Sequence, residues 1–402
     1  MVSFCKSILR VLVVGAVVSA APQTITAKTT VTTTQCLSAS TISASTSTST
    51  VTPTPIPTGT IVAPKVVFIA NTFEYSYLRG YNFSNAYTAP MLDSAFNCTS
   101  NNEICMLAVG QELVSAMQLT VLEMMPRLNL TETYFIITGT GGANPKVAAA
   151  GGVSMARFTV QWEWGSMFLG DDLPANFSGQ YFYAYAQLAP DSYPATVGTE
   201  VYELNQGLID RWYNLTHDLE FEEVSSSLQE IRKNYPYAPA QHPPFLAKCD
   251  VVSAQVYWHG DVAGENVEYY TSLVTSGLGS YCNTNEDDQG RVLGLFHGAE
   301  HGLVDFSRVA IIKAFSNFDR PPTGMTAYQS RYFVGEGATE PGLNNAWMVI
   351  KAVAHDVLEN WDEIYSKGVK APNYVGDIGG SLGGTPDFGK VGTAAAGSVQ
   401  GA

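Results

Sequence analysis

The sequence predicts an α/β layered fold, because apolar runs typical of buried strands alternate along the chain with segments of helical periodicity. The chain has 402 residues, of which 46% are hydrophobic, and this is enough for a large buried core in one or two domains. The predicted buried strands are Lys65–Ala70, Tyr134–Gly139, Asp250–Trp258 and Val309–Ser316.

The N-terminal segment is typical of a secretory signal peptide. Lys6 and Arg10 precede the apolar run Val11–Val18, and the small residues of Val18–Ala20 fit a cleavage site. A membrane anchor is the alternative, but the run is much shorter than the ~20 apolar residues that span a bilayer. We therefore expect residues 1–21 to be removed and the mature protein to be secreted, either extracellular or associated with the cell wall.

The residues after the signal divide into a linker, one domain and a tail. Residues 22–63 are rich in Ser and Thr, a mucin-like composition that cannot bury a core and is typical of a disordered linker. We expect the globular domain at residues 64–372 and a poorly ordered Gly-rich tail at residues 373–402. Sequons for N-glycosylation predict a glycoprotein and begin at Asn82, Asn97, Asn129, Asn176 and Asn214.

The charge of the chain bears on its partners. The formal net charge of −15 at pH 7 argues against nucleic acid and against anionic membrane surfaces. No long uninterrupted apolar segment follows the signal. We therefore expect neither a nucleic-acid partner nor a membrane span.

Cysteine usage predicts disulfides. Cys5 is removed with the signal, and Cys36 lies in the linker. An oxidising compartment favours disulfides over metal ligands. The four cysteines of the globular part allow three pairings, of which we favour Cys98–Cys105, closing a short loop, with Cys249–Cys282.

Two segments have the periodicity of helices. Gly110–Leu128 is predicted to be an amphipathic helix directly before the second strand. The segment from Asn344 to Gly368 predicts the longest helix, with Asn344 as a candidate N-cap and Gly368 as the stop. Its apolar residues recur at three- and four-residue spacing: Trp347, Ile350, Ala354, Val357, Trp361 and Ile364.

Two short motifs match catalytic patterns but lack the structural setting that the chemistry needs. "HGAEH" at His297–His301 fits the H-x-x-E-H pattern of zinc peptidases, but Gly298 and Gly302 weaken any helix there and no third ligand is evident. "GGSLG" at Gly379–Gly383 fits the nucleophile elbow of hydrolases, but it lies in the Gly-rich tail. We predict no metal site.

The stretch "YFIITGTGGANP", Tyr134–Pro145, places glycines after a predicted strand. Gly139 and Gly141 fit the first two positions of the dinucleotide fingerprint, but Asn144 occupies the third, so neither a nicotinamide nor a flavin is predicted. A Gly-rich loop at the carboxyl end of a parallel strand lets backbone N–H groups approach an anion or a hydroxyl. A plain turn after a buried strand is the alternative.

Polar and aromatic residues follow the other predicted strands as well. For each of them the alternative is an ordinary surface or capping residue, which we favour for Ser316 and Asp319 taken singly. Aromatic side chains there are able to stack on a planar ring, and paired carboxylates are suited to sugar hydroxyls. In chain order the candidates are Glu74, Tyr257, Trp258, Glu286, Asp287, Ser316, Asn317 and Asp319.

These segments, in this order, resemble the nucleoside phosphorylase/nucleosidase superfamily and, within it, the fungal family labelled purine nucleoside permease. The likeness covers Pro64–Pro372 and includes "KVVFIANTFEY", "VLEMMPRLNLTETYFIITGTGGANP", "NEDDQGR" and "IIKAFSNFD". The second of these is similar to a helix followed by a T-G-x-x-G-G turn and is the most specific match. The resemblance implies a three-layer α/β/α sandwich with a central mixed sheet, nucleoside phosphorylase-like and often a homo-oligomer.

The resemblance also implies roles for individual residues. Glu74 falls at the carboxylate that activates water, and Glu286 falls at the glutamate that holds the ribose hydroxyls, although Asn285 replaces the usual Met before it. Asn317 falls where an aspartate protonates the purine. An amide cannot act as an acid, but it can donate to and accept from a base edge, and related phosphorylases for 6-oxopurines use Asn there. Asp319 is the alternative acid. Thr140, Gly141 and Gly142 fall beneath the sugar or phosphate, and Tyr257 and Trp258 fall in the base-stacking segment.

The function implied by the resemblance is cleavage of purine nucleosides at the N-glycosidic bond, by hydrolysis or by phosphorolysis. Phosphorolysis would need inorganic phosphate as co-substrate, and no other cofactor is expected. No Arg lies near "IANTFEY" or "LAVGQEL", which favours hydrolysis, although the backbone of Gly139–Gly142 could still hold phosphate. Two alternatives stay open: a non-catalytic binding protein that supports nucleoside transport, and a storage or wall protein that has lost its chemistry.

Overall fold

A computed structural model describes residues 59–168, 172, 182–184, 187, 192–194, 200–334 and 337–378. The predicted signal peptide, nearly all of the linker, the Asn176 sequon and the "GGSLG" match lie outside the described residues. No helix of the described part is long and apolar enough to cross a membrane.

The domain is built on one large mixed sheet. Its strands run β1 Val66–Asn71, β2 Phe83–Tyr87, β3 Phe96–Thr99, β4 Ile104–Val109, β5 Tyr134–Ala143, β6 Val153–Met155, β7 Phe158–Gln161, β10 Val201–Glu203, β11 Leu246–Lys248, β12 Asp250–Ser253, β13 Tyr281–Asn285, β14 Val309–Phe318 and β15 Gly376–Asp377. A separate pair is formed by β8 Gly165–Met167 and β9 Phe182–Ala184. The main path is β15-β10-β7-β12-β13-β5-β1-β4-β3-β2, and β14 pairs with β5 and β6.

The helices connect these strands. They are α1 Thr72–Tyr75, α2 Glu112–Glu123, α3 Gln206–Thr216, α4 Ser226–Arg232, α5 Ala238–Gln241, α6 Asp261–Val274, α7 Asp288–Glu300, α8 Ala327–Phe333 and α9 Thr339–Glu359. A short 3-10 turn at Phe306–Arg308 leads into β14, and a π-helical turn at Trp361–Tyr365 follows α9.

Helices cover both faces of the sheet, which confirms the predicted three-layer sandwich. Successive residues of a strand point to opposite faces. On β14, the Lys313 side chain reaches the start of α7, whereas Ala314 packs beneath Gly342 of α9. Therefore α7 and α9 lie on opposite faces. The largest core cluster joins both layers through the fully buried residues of β1, β5 and β14.

The predicted strands are present, with different ends. β5 continues as a strand through Ala143, beyond the predicted end at Gly139, because β14 runs parallel to it along its whole length. β12 ends at Ser253, well before Trp258, and β14 extends to Phe318. Strand ends depend on which neighbour continues to pair, which the local apolar pattern does not specify.

The predicted helices also differ at their ends. α2 stops at Glu123, shortly before Pro126, which cannot continue a helix. α9 begins at Thr339 rather than after Asn344. Its π-helical extension ends before Gly368, whose φ of +79° marks the predicted stop.

The expectation that glycines weaken a helix around His297 was wrong, since α7 runs through Glu300. Glycines at four-residue spacing line the side of α7 that faces α2. A Cβ at Gly290, Gly294 or Gly298 would meet α2 residues, so these glycines let the two helices approach closely.

Both predicted disulfides are present. Cys98–Cys105 links directly opposed residues of β3 and β4. Cys249–Cys282 joins the residue before β12 to β13. The second bridge therefore ties the start of β12 to β13, whose end forms part of the cavity described next.

Candidate functional site

A cavity of about 550 Å³ lies where β1, β5, β13 and β14 end. This is the size range of small-molecule sites. All predicted site residues except Asp319 line it: Glu74, Thr140, Gly141, Gly142, Tyr257, Trp258, Glu286, Asp287, Ser316 and Asn317.

Glu74 is a fixed, buried carboxylate at one end of the cavity. The side chain of Asn71 caps the short helix α1 by accepting from the N–H groups of Phe73 and Glu74. The Glu74 Oε1 accepts from the backbone N–H of Thr140 at 2.5 Å and from the Thr140 hydroxyl at 2.8 Å. Its side chain packs against Gly139, where any Cβ would collide with the carboxylate and where φ is +147°. The glycine therefore makes room for the carboxylate.

Gly141 and Gly142 are closely packed against residues of β13 and β14. A Cβ at Gly141 would collide with Asn283 on β13. At Gly142 a Cβ would lie 2.8 Å from the Thr284 Oγ1 and 3.0 Å from the Asn317 Oδ1. The Gly142 N–H donates to the Thr284 Oγ1 at 3.0 Å. These glycines lie within strand β5, so they form neither the predicted loop nor a turn.

The expected anion cradle is weakened by these contacts. The Thr140 N–H donates to Glu74 and the Gly142 N–H donates to Thr284, so two donors of the glycine stretch are already committed. A phosphate held there by backbone N–H groups would have to displace them.

A β-bulge brings two residues of β14 to the cavity. The register of β14 against β5 shifts between Phe315 and Asn317, and Ser316 is the additional residue. Bulges re-aim side chains near functional sites. Here Ser316 and Asn317 both line the cavity, and the Ser316 hydroxyl donates to the Gly141 carbonyl at 3.2 Å.

Tyr257 is placed by contacts on two sides. Its hydroxyl accepts from the Asn317 Nδ2 at 2.5 Å, and the guanidinium of Arg331 lies 4.2 Å from its ring centroid. Its neighbour Trp258 is 7% exposed and packs edge-on against Trp162 at 5.1 Å. Both aromatics line the cavity, and Tyr257 is the more exposed of the two. That they stack on a base stays a prediction.

Glu286 and Asp287 have different surroundings. The Glu286 carboxylate accepts from the Gln111 Nε2 at 3.0 Å. Asp287 is buried and contacts the Lys313 Nζ at 2.5 Å and the Arg291 Nη2 at 2.6 Å. Burial alone would raise the pKa of Asp287, but Arg291 and Lys313 hold it below its usual value. The prediction that Asp287 grips sugar hydroxyls is corrected, because its oxygens are occupied by these cations.

Asp319 does not line the cavity. Its two oxygens accept from Arg320 at 2.8 and 2.9 Å, and Tyr281 donates a further hydrogen bond at 2.8 Å. Burial raises the pKa of Asp319 despite the adjacent Arg320. The prediction that Asp319 is the alternative acid is therefore corrected, since its carboxyl group faces a buried ion-pair network instead of the cavity.

Several lining residues were missed in the sequence. Gln111 lies two residues after β4 and was detectable as a strand-end residue. Arg331 lies on α8, for which no motif or strand end gives a signal. His259 follows the aromatic pair, and burial, together with Arg331, lowers its pKa to about 4, so its imidazole is neutral at pH 7.

A family model described as purine nucleoside permease matches residues 63–370. The purine nucleoside permease of Candida albicans is 33% identical over 344 residues, covering 82% of this chain and 84% of the relative. A probable purine nucleoside permease of Schizosaccharomyces pombe is 30% identical over 240 residues, covering 58% and 69%.

Solved structures with a similar backbone include a nucleosidase and a hydrolase. A 5′-methylthioadenosine/S-adenosylhomocysteine nucleosidase from Neisseria meningitidis has a TM-score of 0.43 at 12% identity, covering 73% of this chain and all of that one. The futalosine hydrolase of Helicobacter pylori has a TM-score of 0.43 at 12% identity, covering 73% and 98%.

Proposed function

The chain belongs to the purine nucleoside permease family, and we propose that its cavity binds purine nucleosides and cleaves their N-glycosidic bond to release the base. One observation carries the proposal. A fixed carboxylate, Glu74, and a fixed amide, Asn317, contact the same strand at Gly139 and Gly142, respectively. At ~3.3 Å per strand residue these contacts are roughly 10 Å apart, which suits a ligand with a sugar at one end and a base at the other.

The chemistry requires opposite charges at the two ends. Breaking the bond builds positive charge on the ribose ring and negative charge on the leaving base. Asn317 can donate a hydrogen bond to the base and stabilise that negative charge. Glu74 can accept a proton from an attacking water and stabilise the positive ring. Within the described part of the chain, the Glu286 carboxylate accepts through Oε2 only, so Oε1 can accept from the sugar hydroxyls.

Hydrolysis is favoured over phosphorolysis by the distribution of donors. The backbone N–H of Thr140 already donates to Glu74, and that of Gly142 already donates to Thr284. Of the described residues that line the cavity, Arg331 is the one that is positively charged at pH 7, since His259 is neutral, and it lies against Tyr257 at the Asn317 end. A phosphate nucleophile would need its donors beside the sugar instead.

Nucleoside binding without cleavage is the second candidate. It is favoured by the names of the relatives, which are called permeases, and by an amide at position 317 where an acid would protonate the base. We further propose that the protein acts outside the cell. The signal-like residues 1–21 and the two disulfides support this, because disulfides persist in oxidising compartments.

A product assay distinguishes the candidates. The mature protein is incubated with inosine, adenosine or uridine, with and without phosphate, and free base, ribose and ribose 1-phosphate are measured. Ribose without phosphate supports hydrolysis, and ribose 1-phosphate supports phosphorolysis. Binding without any product supports the permease-type binder. Glu74→Gln should lower turnover at least 100-fold, the usual scale for a general base.

The matched control is Glu359→Gln, at an exposed position near the end of α9. It should leave turnover unchanged. Full activity in Glu74→Gln would show that Glu74 does not act as the general base.

A further inference from the structure

We propose that Tyr257 is a specificity-determining residue, whose hydroxyl donates to the 6-oxygen of the base while Asn317 donates to N7. The cavity would then prefer 6-oxopurine nucleosides to 6-aminopurine nucleosides. This inference rests on the proposed function, because it names the class of base that the same cavity takes.

The first step is a count of hydrogen-bond donors. In the orientation that the hydrogen bonds assign to its amide, Asn317 uses one Nδ2 proton on the Tyr257 hydroxyl, at 2.5 Å. An amide nitrogen carries two protons, so one remains. Asn317 makes no further donor contact with the described residues.

The second step concerns the hydroxyl of Tyr257. A phenol carries one proton and accepts through its oxygen. Because the oxygen already accepts from Asn317, the proton points away from the amide. Within the described ranges no protein group accepts it. Tyr257 and Asn317 both line the cavity, so two adjacent donors are available to a ligand there.

The third step is that the pair is held in place. The Asn317 Oδ1 lies against Gly142, and Asn317 and Gly142 are register partners in the pairing of β14 with β5. The Arg331 guanidinium covers a face of the Tyr257 ring. The Gly260 N–H donates to the Asp319 carbonyl at 2.8 Å, which joins the segment after Tyr257 to the end of β14.

The fourth step matches these donors to the base. The outer edge of a 6-oxopurine presents two acceptors, N7 and O6. The same edge of adenine presents the N7 acceptor and the N6 amino donor. Two protein donors therefore pair fully with a 6-oxopurine, whereas with adenine the amino group would face the Tyr257 proton. Two donors facing each other make no hydrogen bond, and this lost bond lowers the affinity for adenine.

The test compares ligands that differ only at this edge. Inosine carries O6, adenosine carries the amino group, and purine riboside carries neither. For each, kcat/KM is measured, or Kd by calorimetry if no product forms. The wild-type protein should favour inosine over adenosine at least tenfold. Tyr257→Phe should lower the value for inosine about tenfold or more and leave purine riboside within about twofold.

Two further variants separate the roles. Asn317→Ala removes the donor to N7, which all three ligands share, and should therefore weaken all three. Tyr213→Phe, on α3 outside the cavity, is the matched control and should change none.

The outcomes decide between the claims. Adenosine equal to or better than inosine in the wild-type protein overturns the inference. An equal loss for all three ligands in Tyr257→Phe also overturns it, since that pattern indicates a structural role. In both cases the proposed function still stands if the wild-type protein binds or cleaves a nucleoside. If no nucleoside is bound or cleaved, the proposed function fails and the inference fails with it.

Discussion

Replacing Glu123 with Gln should raise the stability of the protein at alkaline pH much more than at acid pH. Glu123 is buried on α2 against Gly298 of α7, and its Oε1 has no hydrogen-bond partner among the described residues. Burial raises the pKa of this carboxyl group from 4.5 to about 8. The folded protein therefore keeps a proton that the unfolded chain releases, so stability falls as the pH rises through this window.

The magnitude follows from the two pKa values. At about 1.4 kcal/mol per pH unit, the interval between 4.5 and about 8 corresponds to about 5 kcal/mol. At pH 5 less than about 1 kcal/mol of this penalty is present, because the unfolded group is only partly ionised there. The buried amide of Gln adds its own cost of about 1–3 kcal/mol, but this cost is the same at both pH values and cancels.

Urea unfolding of both proteins at pH 5 and pH 9 measures the effect. Between these pH values Glu123→Gln should gain about 4 kcal/mol relative to the wild-type protein. Glu359→Gln, which is exposed, controls for the general change in charge. A gain that is equal at the two pH values would show that Glu123 is ionised in the folded protein and would refute the reasoning.

Two other substitutions, each with its own control, test a wall of the cavity and the buried ion pairs of Lys313. Gly139→Ala should displace the Glu74 carboxylate and abolish activity. Its control is Gly302→Ala, which has a φ of +70° and open space around it, and which should cost about 1 kcal/mol of stability and leave activity intact. Activity assays and thermal unfolding check both variants. Lys313→Met should destabilise by about 3–5 kcal/mol, because it leaves two buried carboxyl groups, those of Asp287 and Asp288, to share the single cation of Arg291. Lys313→Arg should recover part of that stability, and equal urea midpoints for Lys313→Met and the wild-type protein would contradict the argument.

Local patterns predicted the fold well and the element ends poorly. Buried strands such as β1 and the long helix α9 were predicted because burial imposes an apolar period on the sequence. The Cys98–Cys105 and Cys249–Cys282 pairings were predicted as well. The prediction of a weakened helix at His297 was wrong, since a glycine weakens an isolated helix but also permits close packing of two helices.

The site was predicted as a set of residue types, and its arrangement was not. Glu74 and Asn317 line one cavity, as residues at the ends of two strands that both run parallel to β5 should. Asp287 and Asp319 follow strands in the same way, yet Lys313, Arg291 and Arg320 neutralise them. Residue type and position relative to a strand end do not reveal which ionic partner will be buried beside a carboxylate.

The sequence by itself determined the layered α/β class, the main strands and the residues that gather at their ends, because these follow from local burial and chain order. Only the tertiary structure decided what the glycines of "YFIITGTGGANP" do. Gly139 admits Glu74, and Gly142 lies between Thr284 and Asn317. The reason is physical: a missing side chain is explained by the atoms that occupy its space, and here those atoms come from residues far away in the chain.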